Sequence, residues 1–126
     1  MKSNIIIKIL LLSILLSITS SCTRPMGYTN KPMHTYDHNT EYTIQEKDDG
    51  FTLTLYYERY QFIPESDSVL QACKSNLTAI AYEVAENKGK KIKPINEQRI
   101  KISMGRNGFT GITSCSASVP VEYDSN

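Results

Sequence analysis

Two hydrophobic periods alternate along residues 41–121, and each change of period marks a new element. Glu41–Glu46 alternates with period two, placing Tyr42 and Ile44 on one face. Phe51–Phe62 continues in the same mode: Phe51, Leu53, Leu55 and Tyr57 share one face, and Thr52, Thr54, Tyr56 and Glu58 the other, the signature of a half-buried strand. Lys47–Gly50 between them predicts a turn with Gly50 at positive φ. Past Glu58 the apolar positions become Tyr60 and Phe62, a change of phase that predicts a β-bulge near Glu58–Arg59. The period then lengthens. Val69, Leu70, Cys73, Leu77, Ile80, Ala81 and Val84 recur at three- and four-residue steps, which predicts an amphipathic helix of about five turns. Pro64 closes the preceding strand, and Ser68 with Gln71 predicts a capping box. Gly89 is placed to terminate the helix, with Lys88 set against the negative end of its dipole. After Pro94 the short period returns in Arg99–Met104, with Ile100, Ile102 and Met104 facing one way. Gly105–Gly108 contains Asn107-Gly108, a strong hairpin signal. Phe109–Val121 then predicts a last strand with Thr113, Cys115, Ala117, Val119 and Val121 on one face.

The resulting order, ββαββ, predicts a two-layer α+β domain over residues 40–126, a four-stranded, mostly antiparallel sheet with one helix packed on one face. Strand order 1-2-4-3 makes every neighbour antiparallel and encloses the least charged strand, 109–121; order 1-2-3-4 needs a parallel crossover and is the alternative. Residues 23–39 show neither period, and Pro25, Gly27, Asn30 and Pro32 interrupt any element, so this stretch reads as a flexible tether. Fully extended, it spans about 50 Å.

The first 22 residues are of a different kind. Lys2 and Lys8 form a short positive region, Ile9–Ile18 is an apolar run of ten, and Thr19-Ser20-Ser21 places small side chains directly ahead of Cys22. That is the layout of a secretory signal, and ten residues fall well short of the roughly 20 needed to cross a bilayer. A Cys directly after small residues resembles the lipobox of bacterial lipoproteins, with Thr19 where Leu is usual and Ser21 where Gly or Ala is usual. The resemblance covers 22 of 126 residues. It implies cleavage of a signal peptide, 1–21, lipid (palmitate-type) acylation of Cys22, and a domain tethered to a membrane of the cell envelope. Thr23 is not the Asp that retains lipoproteins at the inner membrane of enteric bacteria, so the resemblance implies the outer membrane.

Charge and cysteine content narrow the function. Removing Lys2 and Lys8 from the 14 basic residues leaves 12 against 13 acidic ones, a net charge of −1, which offers nothing to nucleic acid. Cys73 and Cys115 remain as an even pair in an exported chain, so a Cys73–Cys115 disulfide is the first reading, with two buried thiols or a metal pair as alternatives. Cys73 lies on the apolar stripe of the helix and Cys115 on the apolar face of the last strand, so two independent periodicities aim both at one interface. Such a bridge closes a loop of about 43 residues, with roughly 4 kcal/mol of stabilisation.

Catalytic chemistry finds little support. His34 and His38 are the only histidines and stand in the tether, where they make a poor metal site. Cys115 has no adjacent base to activate it as a nucleophile, and no phosphate loop, nucleophile elbow or zinc-binding helix motif is present. A non-enzyme without cofactor or metal is expected. Residues 84–108 hold seven basic side chains (Lys88, Lys90, Lys91, Lys93, Arg99, Lys101 and Arg106) and two acidic ones, whereas 41–67 is mostly acidic. An electrically polarised domain is expected, whose basic end is either an interaction surface or a solvated helix terminus. Tyr42, Tyr56 and Tyr60, if exposed together, offer an aromatic platform; the alternative is cross-strand pairing. The expected function is that of a lipid-anchored, non-enzymatic interaction module for an envelope protein or cell-wall component. The alternative is an envelope sensor that uses the disulfide or the basic end.

Overall fold

A computed structural model describes residues 7–8 and 31–125. Most of the expected signal peptide, Cys22 and residues 23–30 lie outside the described residues. Five strands and one long helix follow in order: β1 (His34–Asp37), β2 (Thr40–Lys47), β3 (Gly50–Tyr60), α1 (Ser66–Asn87), β4 (Lys101–Asn107) and β5 (Ile112–Glu122), with a single 3-10 turn at Glu97–Arg99. The class is the expected one, α+β, with one helix on one face of an antiparallel sheet. The strand count is five rather than four, in the order β1-β2-β3-β5-β4. The extra strand comes from the end of the expected tether. His34 and Thr35 pair with Tyr42 and Glu41, and a bulge before Asp37 carries the chain into the turn, where Asp37 Oδ1 accepts from Asn39 N at 2.8 Å. Four exposed residues carry no hydrophobic alternation, which is why the pattern missed them.

The core is the shared interface of α1 with β3 and β5. Phe51, Leu53, Leu55 and Tyr57 from β3 meet Cys115, Ala117, Val119 and Val121 from β5, and Val69, Cys73, Leu77, Ile80, Ala81 and Val84 close the layer from the helix. These are the faces that the two periods defined. Thr40 is also wholly buried; its Oγ1 accepts from Asn76 Nδ2 at 3.0 Å, tying the start of β2 to the middle of the helix.

Several local expectations are corrected. No bulge interrupts β3: its register with β5 runs unbroken from Gly50↔Glu122 to Tyr60↔Ile112. The inward parity continues instead through Gln61, which is buried, while Tyr60 and Phe62 face solvent. Gly50 does not take positive φ. A Cβ there would stand 1.9 Å from the Val121 carbonyl oxygen, so glycine serves the close approach of two backbones. The helix starts two residues before Ser68 and has no side-chain cap. Gln61 holds that corner, accepting from Glu65 N at 3.4 Å and donating from Nε2 to Glu65 O at 3.0 Å. At the other end Gly89, at φ +66°, closes α1 as anticipated. Gly89 N bonds Glu86 O at 2.8 Å and Lys90 N bonds Ala85 O at 2.9 Å, the paired bonds of a Schellman motif. The last hairpin turns at Gly108–Gly111, three residues later than expected, because Gly111 supplies the positive φ (+71°) and Asn107 Oδ1 accepts from Phe109 N and Thr110 N.

Candidate functional site

Cys73 and Cys115 are joined in a disulfide, their Cα atoms 6.3 Å apart, and both residues are wholly buried. The helix stripe and the inner face of β5 meet as their periods required, so the bridge sits within the core and presents no sulfur to solvent. It is a staple of the fold, not a surface group.

The expected basic surface is gathered only in part. Lys88 closes α1, and Lys90, Lys91 and Lys93 follow on the segment that runs beside the end of β5. That segment is held by an Ile92↔Tyr123 bridge and by the bonds Lys93 N→Glu122 O and Asp124 N→Lys91 O, each 2.9 Å. Arg99 lies in the 3-10 turn at the same end and Lys101 begins β4 there. Arg106 is at the opposite end of β4, where Nη1 donates to Thr113 Oγ1 at 2.8 Å and Nη2 to Gln61 O at 3.3 Å. It does not belong to the basic end.

The expected electrical polarity is also corrected, because the fold brings acidic side chains to the lysines. Lys88 Nζ pairs with Glu46 of β2. Glu122, the last residue of β5, receives Lys93 Nζ at 3.2 Å and Arg99 Nη1 at 3.1 Å. The hydrogen bond from Lys93, then that from Arg99, hold the Glu122 carboxyl below its usual value. Lys90 Nζ stands 4.3 Å from the centroid of the Tyr123 ring, a cation–π contact. A hairpin at 48–49 and a helix end are neighbours in any ββα unit whose helix runs antiparallel to its preceding strand, so residues far apart in charge along the chain meet in space.

An open groove of ≈ 470 Å³ lies at this end, along the last turns of α1. Ala85 and Ile92, both buried, form its apolar floor; Tyr82 stands exposed at one side, and Glu86, Lys90, Lys91 and Asp124 line the rim. An extended segment with an apolar side chain and charges of either sign fits that lining. Sequence reasoning found the lysines but missed Tyr82 and Asp124, which no local pattern joins to them.

The other candidates disperse. Tyr42 packs on the core side of the sheet, its ring 5.4 Å from that of His34, whereas Tyr56 is on the outer face with its hydroxyl donating to Glu58 Oε2 at 2.9 Å. Tyr60 stands exposed at the end of β3, so the three make no common platform. His34 belongs to β1 and His38 to the following turn. Among the described residues no three His, Cys, Asp or Glu side chains are grouped to hold a metal, and no helix is long and apolar enough to cross a membrane. Comparison with protein-family models, with curated proteins and with solved structures finds no match.

Proposed function

We propose that this chain is a small lipid-anchored protein of the cell envelope that works as a non-enzymatic interaction module. The signal-like start and the Cys22 lipobox support the anchor. The observation that carries the binding role is the groove at the helix C-terminus, an apolar floor of Ala85 and Ile92 bordered by Lys90, Lys91, Glu86 and Asp124. Its occupant is a segment of another envelope protein or of a cell-wall peptide. A segment of mixed charge with a short apolar side chain matches the lining. A sensor that works through Cys73–Cys115 is the weaker reading, because both half-cystines are fully buried and thiol exchange needs an accessible sulfur.

Two substitutions test the two halves of the proposal. Cys22→Ala is expected to leave the precursor uncleaved or the product without lipid; a normal-sized, lipid-labelled product rules out the anchor. Lys90→Glu with Lys91→Glu makes the charged rim wholly acidic without touching the Lys93–Glu122 pair. In-cell crosslinking to the partner is expected to be lost, with stability lowered by no more than about 1 kcal/mol through loss of the Lys90–Tyr123 contact. Unchanged crosslinking makes this a solvated helix end and nothing more.

A further inference from the structure

We propose that the apolar loop tips at the opposite end of the sheet, Phe62 and Ile63 after β3 and Phe109 in the β4–β5 hairpin, dip into the lipid bilayer and set the anchored domain upright on its membrane. The proposal rests on the lipid-anchored reading above. The two loops form one structure: Gln61 N donates to Gly111 O at 2.9 Å, and Arg106 Nη2 bonds Gln61 O at 3.3 Å. From this joined end Phe62 is 86% exposed, Ile63 69% and Phe109 wholly exposed, with Tyr60 63% exposed at their base. A single exposed phenylalanine is ordinary, but three large apolar side chains together on adjacent loops are a surface that another phase covers.

Shape and charge select the bilayer as that phase. The side chains project outward from turns, whereas two open grooves lie elsewhere, along the end and flank of α1. Projecting apolar tips with a tyrosine behind them match the layering of a membrane interface, acyl chains first and headgroups next. Arg59, Glu65 and Asp67, all exposed and within four positions of Phe62–Ile63 along the chain, carry charges of both signs, so apolar burial rather than attraction to anionic lipid drives the contact.

The geometry of the anchor permits it. β1 sets His34 beside Tyr42, which is opposite Leu55. From Leu55 to Tyr60 is five strand residues, about 17 Å. The chain from Cys22 to His34 reaches about 40 Å when extended. The lipid on Cys22 and the loop tips therefore reach one plane with chain to spare, and the groove at the helix C-terminus then faces away from the membrane.

The chain has no tryptophan, so one introduced indole reports alone. Full-length Phe109→Trp protein, matured in a lipoprotein-processing host, is reconstituted into vesicles of phosphatidylethanolamine and phosphatidylglycerol whose acyl chains carry bromine. Blue-shifted, quenched emission is expected, equal in purely zwitterionic vesicles, and lost when Phe62→Ser and Ile63→Ser are added. A Tyr82→Trp variant, with its indole at the groove, is expected to stay unquenched. Flotation with the vesicles but an unquenched indole at position 109 is the outcome for a rim that meets a protein, and it overturns the bilayer contact while leaving the anchor. Quenching without lipid mass on Cys22 overturns the anchor and supports the contact, and failure to float overturns both.

Discussion

Gly50 is a residue whose role is set wholly by its neighbour. Its φ is one that any amino acid adopts, yet a Cβ would meet the Val121 oxygen at 1.9 Å and the Val121 carbon at 2.9 Å, both backbone atoms that cannot swing aside. Gly50→Ala must separate the first ladder pair of β3 and β5 and is expected to cost about 2–3 kcal/mol. Denaturant unfolding measures this, and a loss below about 0.5 kcal/mol would show that the strands close there with room to spare. Gln61 is a parallel case. In the sequence it looks like the polar start of a loop, but strand parity turns it inward and both ends of its amide are used on Glu65.

Among the elements, α1 depends on the others most. It runs 22 residues, presents Val69, Cys73, Leu77, Ile80 and Val84 to the sheet, and starts without a side-chain cap. Its position is set by packing and by the bond from Cys73 to Cys115, 42 residues away. Replacing both cysteines with Ala is expected to lower stability by about 2–5 kcal/mol, a large share of what a domain this size has. Denaturant titration of the oxidised protein against the double variant gives the figure. Thiol labelling without reductant decides the premise: free reaction at both positions would remove the bridge.

The molecule as a whole has two unlike ends. One carries paired charges, the other bare apolar loops. Glu122 joins β5 to the 89–100 connector through Lys93 and Arg99, and its carboxyl is held below the usual value, so it binds its proton less readily when folded. A lowered folded-state value adds stability that is present above the unfolded value and lost as pH falls through the folded one. Glu122→Gln is therefore expected to be less stable than the parent near pH 7, and the two are expected to converge as pH drops below about 4.5. The pair is exposed, so the difference should also shrink in high salt. Thermal melts across pH and ionic strength check it, and a gap that does not narrow as pH falls assigns the effect to packing rather than charge.

Local periodicity was enough to name α1 and the inner faces of β3 and β5 and to aim Cys73 and Cys115 at one interface, because burial on one side of an element writes its own period into the chain. The same signal misplaced the last hairpin, since Asn107-Gly108 is a turn dipeptide whether or not the following Gly111 takes the left-handed position. It could not reveal β1, whose four exposed residues carry no hydrophobic alternation and join the sheet by backbone pairing with β2. Nor could it place Glu46 beside Lys88 or Glu122 between Lys93 and Arg99, so a chain with separated charges folds into an end where they neutralise each other. Side-chain period is a property of one segment and its own burial. Backbone pairing at an edge, ion pairing across a hairpin and the gathering of Phe62, Ile63 and Phe109 at one end are properties of distances between segments, and only the closed fold sets those.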